Sequence, residues 1–79
     1  RLDLALRTLQ QASERFPQDV ETYYATAVLR GAANDPTGAL AALNKAIQLN
    51  PGIRDRARGD QRFGALRNDL RFQQLTSNP

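Results

Sequence analysis

Residues 5–12 read ALRTLQQA, and residues 39–46 read ALAALNKA. The two stretches lie 34 residues apart, and a proline follows each at the same distance. The repeated pairs are Ala5 with Ala39, Leu9 with Leu43, Ala12 with Ala46, and Pro17 with Pro51. A shared period of this length is typical of a repeat array, in which each helical unit buries its apolar face by stacking on its neighbours.

Apolar residues recur at spacings of three and four over residues 2–16, which predicts an amphipathic helix that Pro17 stops. A second helix is predicted over residues 20–30. Asp19 is placed to cap its start, and Gly31 is placed to form a left-handed cap at its end.

A third helix is predicted over residues 36–49. Asp35 suits its N-cap, and Pro36 suits the first helical position, where a missing N–H does no harm. The links between these helices are short, so neighbours should lie antiparallel. The sequence therefore predicts an all-α fold built from antiparallel helix pairs.

The pattern changes in the last third of the chain. Residues 54–59 carry a single apolar residue, too few to predict a packed helix. Two related stretches follow, DQRFGAL at residues 60–66 and DLRFQQL at residues 69–75. In each, the aspartate is placed to cap a short helix, and the phenylalanine and leucine fall on one side of a single turn. We interpret them as short capping helices that cover the end of the array, with residues 76–79 frayed.

The composition argues against an enzymatic function. The chain of 79 residues is a single small domain without cysteine or histidine, which removes disulfides, thiolate sites and the commonest general base and metal ligand. Its five glycines form no phosphate-binding loop, and its aspartates are better explained as caps and ion pairs. We predict no enzymatic activity, no metal and no cofactor. No apolar run is long enough to span a bilayer.

The charge distribution suggests a second kind of partner. The net charge is +3, and Lys45 is the single lysine among eleven basic residues. Six arginines lie in the last third, at positions 54, 56, 58, 62, 67 and 71. A basic stripe can be the footprint of nucleic-acid binding. Aspartates interleave with these arginines, however, and alternating charge is typical of a solvated face. Nucleic acid is therefore the less favoured partner.

The repeated residues also suggest a family. The pattern Ala39, Leu43, Ala46 and Pro51, preceded by Tyr23, Ala27 and the turn at Asn34 and Asp35, resembles a tetratricopeptide (TPR) repeat. In this frame residues 20–53 form one complete repeat and residues 1–19 the second helix of a truncated repeat. Residues 54–76 form a C-terminal capping segment, similar to the degenerate closing segment of bacterial TPR proteins. The resemblance implies a TPR-like α-solenoid fragment from the end of a longer protein.

The resemblance implies a non-catalytic protein-interaction module that binds a protein or peptide segment on its inner face. The matching inner positions are Glu21, Tyr24, Ala25, Val28 and Ala32. Tyr24 and Val28 would present an apolar strip flanked by Glu21, or would instead pack against the preceding repeat. Arg30 and Thr26 stand where the family usually has tyrosine and leucine, and both should loosen the core of the repeat.

Two alternatives stay open beside this interpretation. The chain could be a structural or oligomerisation scaffold, since Leu2, Leu6 and Leu9 would have lost part of their cover and could support self-association. It could also bind a polyanion through the arginine-rich segment. The sequence does not identify the partner, and a bacterial cytoplasm is the default location on the resemblance alone.

Overall fold

The computed structural model describes residues 1–77. These residues form α1 (Leu2–Arg15), α2 (Val20–Ala32), α3 (Pro36–Leu49), α4 (Ile53–Gly59), a 3-10 helix called η1 (Gln61–Leu66), and α5 (Leu70–Thr76). No strand occurs within residues 1–77, so the predicted all-α class is confirmed for that part of the chain.

Aspartates begin the second and third helices as predicted. The Asp19 side chain accepts a hydrogen bond from the backbone N–H of Glu21 at 3.2 Å, and Asp35 accepts one from Gly38 at 3.0 Å. These bonds satisfy N–H groups that have no partner within the helix. Pro36 occupies the start of α3. Three of the predicted helices are thus present, with ends within two residues of the prediction.

The end of α2 differs from the prediction. Gly31 is not a left-handed cap, because α2 continues through Ala32. The residue with positive φ is Asn34, at 61°, and its short polar side chain tolerates that conformation. Gly31 instead lies buried inside the helix, where another segment of the chain contacts it.

The helix α4 was not predicted, and its two core residues explain why. Ile53 and Ala57 are buried and lie four residues apart, so one turn carries the whole apolar contact. Arginines and Asp55 occupy the rest of the surface. A helix this short buries only a narrow strip of its surface. A count of apolar residues along the sequence therefore does not predict it.

The core lies mainly between α2 and α3, which have the most extensive contact of any pair of elements. Ala27, Ala39 and Ala46 are fully buried, so small side chains allow the two helices to approach closely. Leu43 is also fully buried and fills the space that the alanines leave. The first helix, α1, packs on α2 and buries none of its residues completely.

We refer to residues 53–76 as the closing segment. Within it η1 packs on α2, while α5 packs on α4 and α3. Thr76 was predicted to fray, yet it is the last residue of α5 and is buried, with its hydroxyl donating to the Phe72 carbonyl at 2.9 Å. Ser77 follows α5 and is exposed, and residues 78 and 79 lie outside the described part of the chain.

Candidate partner-binding surfaces

The five residues predicted to line an inner face do not form one open apolar strip. Tyr24 is buried, with 2% of its surface exposed. Ala25 and Val28 are half-buried, and Val28 packs against the core, whereas Glu21 and Ala32 are exposed. The expectation that Tyr24 presents its ring to a ligand is therefore wrong for this structure. The role of the other four in binding stays a prediction.

Three residues of the closing segment enclose the Tyr24 side chain. The Phe63 ring meets it edge-on, with ring centroids 5.5 Å apart and an interplanar angle of 84°. The Arg56 guanidinium carbon lies 4.0 Å from the Tyr24 ring centroid, a cation–π distance. The Tyr24 hydroxyl donates to the Asp60 carboxylate at 2.7 Å. A tyrosine with its ring packed and its hydroxyl satisfied is a structural residue.

The charges around Tyr24 are mutually compensated. Burial, assisted by the hydrogen bond to Asp60, raises the pKa of Tyr24 to about 12. Bonds from the Arg62 guanidinium hold the pKa of Asp60 well below its usual range, and the Tyr24 hydroxyl adds to that effect. Arg56 donates to Glu21 at 2.6 Å and lowers the pKa of that carboxyl. Glu21 is thus already engaged by the closing segment.

The contact between α2 and η1 extends along α2 from Tyr24 to Gly31. A methyl group built on Gly31 would lie 3.6 Å from the Leu66 side chain, so Leu66 rests on this glycine. Together with Phe63 against Tyr24, this places η1 along the side of α2 predicted to face a ligand. The chain fills part of that face with its own closing segment.

The two Asp-x-Arg-Phe-x-x-Leu stretches have the same kind of aspartate cap, although η1 is a 3-10 helix and α5 is an α-helix. Asp60 caps η1 by accepting from the backbone N–H of Arg62, and Asp69 caps α5 by accepting from that of Arg71. The guanidinium group of each arginine also pairs with the aspartate of its own stretch, at 2.8 and 2.9 Å. The phenylalanines, Phe63 and Phe72, are buried with centroids 5.6 Å apart. The predicted caps and the predicted phenylalanine positions are confirmed.

Most arginines of the basic stripe have partners inside the chain. Arg56, Arg58, Arg62 and Arg71 form ion pairs with Glu21, Asp55, Asp60 and Asp69, respectively. Arg67 donates to the backbone carbonyls of Arg58 and Asp60. These contacts reduce the positive charge that is available to a phosphate backbone.

A cavity of about 310 Å³ lies between α4 and α5. Its lining includes Arg58 and Arg67, whose guanidinium groups donate to the carbonyls of Thr76 and Arg58, respectively. These arginines therefore cap the carboxyl ends of short helices, where cations are favoured. The cavity is explained by this capping.

At four positions the first helix, α1, carries the same residues as α3, the helix that packs on α2. Alanine and leucine recur at the paired positions 5 and 39, 6 and 40, 9 and 43, and 12 and 46. On α3 the four side chains are buried, three of them at 0% exposure. On α1 the same four are only partly buried. The difference arises from what packs on each helix, because the side chains are the same.

Two larger apolar side chains, Leu2 and Phe16, extend the apolar side of α1 to both ends of the helix. Leu2 is 42% exposed and Phe16 is 59% exposed, and both lie seven residues from Leu9, so they fall on the same side of the helix. The predicted exposure of apolar surface on the first helix is confirmed. We call Leu2, Ala5, Leu6, Leu9, Ala12 and Phe16 the α1 face.

Other kinds of site were also sought within residues 1–77. No group of three acidic side chains there is arranged to hold a metal ion. Every helix in this range is too short or too polar to cross a bilayer. Comparisons of the chain with protein-family models, with curated proteins and with solved structures found no match.

Sequence reasoning missed the residues that enclose Tyr24. The motif at residues 60–66 predicted a cap but did not indicate which surface it covers. The pair Arg56 and Glu21 lies 35 positions apart, and no local pattern connects them. Phe16, by contrast, belongs to the apolar pattern predicted over residues 2–16, and its spacing of seven from Leu9 extends the apolar side of α1.

Proposed function

We propose that this chain is a non-catalytic protein–protein interaction module with a TPR-like α-solenoid arrangement, and that its docking surface is the α1 face. The observation that carries the proposal is the contrast between two helices that share alanine or leucine at four paired positions. Those four residues are buried on α3 and partly exposed on α1. An amphipathic helix whose apolar side stays partly exposed is the kind of surface that binds another protein.

The solenoid arrangement is supported by the order of the helices and by the repeat. In chain order α1, α2 and α3 pack consecutively, and the closing segment covers the far end. The 34-residue offset relates α1 to α3, as expected for equivalent helices of adjacent repeats.

The surface predicted on α2 supports this function less well. Tyr24 is enclosed and Glu21 is paired with Arg56, so a ligand would have to displace contacts that belong to the core. At the two ends of the α1 face, by contrast, Leu2 and Phe16 are exposed at 42% and 59%. Exposed apolar side chains there would lose contact with water when a partner binds, which favours binding by about 25 cal/mol for each Å² buried.

Binding can be tested with a double variant of the α1 face, Leu2→Glu with Phe16→Lys. The glutamate lies at the amino end of α1 and the lysine at its carboxyl end, so both charges agree with the helix dipole and the net charge is unchanged. The matched control is Leu70→Glu, which alters an exposed leucine at the first position of α5.

The native chain, the double variant and the control would each be used for affinity capture from source-cell lysate. A protein retained by the native chain would then be purified and its Kd measured by calorimetry. We expect the double variant to raise the Kd at least tenfold and Leu70→Glu to change it less than twofold. A partner that binds the native chain and the double variant equally would overturn the α1 face as the docking surface.

A further inference from the structure

We propose that the surface around the turn after α1 binds single-stranded nucleic acid. Phe16 stacks on a base there, and Arg15 and Lys45 contact phosphate groups. We call Arg15, Phe16, Tyr23 and Lys45 the Pro17 surface, after the proline in that turn. The inference goes beyond the proposed protein docking, and it concerns a different place from the basic stripe in the last third of the chain.

The excess positive charge of the chain does not lie where the sequence concentrates arginine. Of the eleven basic and eight acidic side chains, five of each form ion pairs with one another, and four of these pairs involve an arginine of the closing segment. This leaves six cations against three carboxylates, which accounts for the net charge of +3. The six cations are Arg1, Arg7, Arg15, Lys45, Arg54 and Arg67.

Two of these six cations lie against aromatic rings at one end of the molecule. The Arg15 guanidinium carbon is 5.7 Å from the Phe16 ring centroid, and the Lys45 ammonium is 5.9 Å from that of Tyr23. The Tyr23 hydroxyl donates to the carbonyl of Pro17, the residue after Phe16, at 3.0 Å, so the two pairs adjoin. Neither cation has an ion-pair partner among residues 1–77. Aromatic rings beside such cations are the means by which proteins hold single strands.

The exposure of Phe16 agrees with its position in the repeat. Its side chain is 59% exposed. The residue 34 positions later is Asn50, which is also exposed although α2 and the closing segment both pack on α3. The position therefore faces water in a repeat that is packed on both sides. A phenylalanine there adds little to the core, and its ring is accessible to a planar group.

A single strand fits this surface better than other anionic partners do. It presents unstacked bases together with one phosphate for each nucleotide, and stacking on an aromatic ring tolerates any base. A duplex keeps its bases stacked inside, and an acidic peptide would use the cations without the phenylalanine ring. Because the surface supplies two cations, we expect modest affinity that falls steeply as salt is added.

The probes are two fluorescent oligomers of about twelve nucleotides, a length within the range that single-strand sites cover. One is oligodeoxythymidine, and the other is its abasic equivalent, which keeps the phosphates but has no bases. Fluorescence anisotropy with the full chain at about 50 mM salt should give a Kd on the order of 10–100 μM for oligodeoxythymidine. The abasic oligomer should bind at least fivefold more weakly. Equal affinities would overturn the inference, because they would mean that no base is stacked.

The role of the ring is tested with Phe16→Ala. This variant should weaken oligodeoxythymidine at least fivefold, because one aromatic ring contributes a stacking interaction of that size, and it should change the abasic oligomer less than twofold. The matched control is Leu70→Ala, which shortens another exposed apolar side chain, on α5. It should leave both affinities within twofold. A loss as large in Leu70→Ala as in Phe16→Ala would contradict a specific role for the ring.

The role of the cations is tested with Arg15→Gln/Lys45→Gln. Both oligomers should bind at least fivefold more weakly, and the slope of log affinity against log salt should decrease by about 1.4, since each phosphate contact contributes about 0.7 for a single strand. The control, Arg62→Gln/Arg71→Gln, removes the same charge from the basic stripe and should change the affinities less than twofold. Circular dichroism verifies that each variant is folded. Equal losses in the two double variants would show that net charge alone attracts the strand, and would overturn the inference.

Two further outcomes would also overturn it. One is the absence of any anisotropy change with oligodeoxythymidine at about 50 mM salt. The other is tighter binding of an oligoglutamate peptide of the same charge, which would assign the Pro17 surface to an acidic protein segment instead. The proposed docking of a protein on the α1 face is tested by its own variants, and it stands or fails independently of these titrations.

Discussion

The two tyrosines of α2 are adjacent in sequence, yet their hydroxyl groups have different surroundings. That of Tyr24 donates to Asp60 of the closing segment, and that of Tyr23 donates to the Pro17 carbonyl at 3.0 Å in an exposed position. Helical periodicity identifies both as residues of α2. It cannot show that residues 56–63 enclose Tyr24, because that contact depends on how the closing segment packs against α2.

Tyr24→Phe should therefore destabilise the fold more than Tyr23→Phe does. Removing the Tyr24 hydroxyl deletes a partly buried hydrogen bond to a charged group, which costs about 1–2 kcal/mol. The exposed hydroxyl of Tyr23 should be worth less than about 0.5 kcal/mol. Urea unfolding of both variants measures the free energies, and equal losses would contradict the assignment of Tyr24 to the core.

The raised pKa of Tyr24 predicts a specific loss of stability in alkali. The folded state favours the protonated phenol, whose pKa is about 12 against an ordinary value of 10. Its contribution is therefore complete below pH 10 and lost as the pH rises from 10 to 12, in total on the order of 2 kcal/mol. In Tyr23→Phe the one remaining tyrosine is Tyr24, so phenolate absorbance follows it directly. A midpoint near pH 10 in the folded protein would contradict the prediction.

At the scale of single elements, helix starts were predictable because aspartate caps act within three residues of the chain. Helix ends and short helices were less predictable. Gly31 is a residue type that often ends helices, but α2 continues through Ala32, and Leu66 of the closing segment packs against Gly31. The start of α4 has no side-chain cap, and its core contact consists of the buried Ile53 and Ala57.

Alanine substitution tests whether Gly31 lies inside α2 or forms a left-handed cap at its end. Gly31→Ala should stabilise the protein by about 0.5–1 kcal/mol, because α2 has ordinary helical geometry there and the new methyl group would meet Leu66 at 3.6 Å, a normal contact. Gly38→Ala is the matched control. Its methyl group would overlap the Asp35 carboxylate and lie 2.8 Å from the Arg30 side chain, so we expect this substitution to destabilise the protein. Thermal unfolding compares the two, and a loss of stability in Gly31→Ala would favour the left-handed cap instead.

Arg30 also shows how an element accommodates an unusual residue. The sequence predicted that arginine at this position would loosen the core. In the structure its guanidinium pairs with Asp35 at 3.1 Å, while its stem lies over Gly38, which has no side chain to obstruct it. The charge remains partly exposed, so the arginine covers the turn between α2 and α3 without entering the core.

For the whole molecule, the repeat predicted that α1 and α3 are equivalent helices, and composition predicted that no residue is arranged for catalysis. The repeat did not reveal which surfaces the closing segment would cover. That segment contributes Phe63, Leu66 and Phe72 to the core, and it binds to α2 at residues far away in sequence. The exposed apolar surface thus depends on these distant contacts, and on the α1 face it consists mainly of Leu2 and Phe16.

The openness of the α1 face is the central claim, and amide hydrogen exchange of the dilute full chain tests it most directly. Helices with few buried contacts open with lower free energies than those in the core. We predict that amides of α1 exchange with an opening free energy at least about 2 kcal/mol below that of α3, although the two helices share alanine or leucine at four paired positions. Equal protection of α1 and α3 would mean that the α1 face is covered, and it would contradict the account.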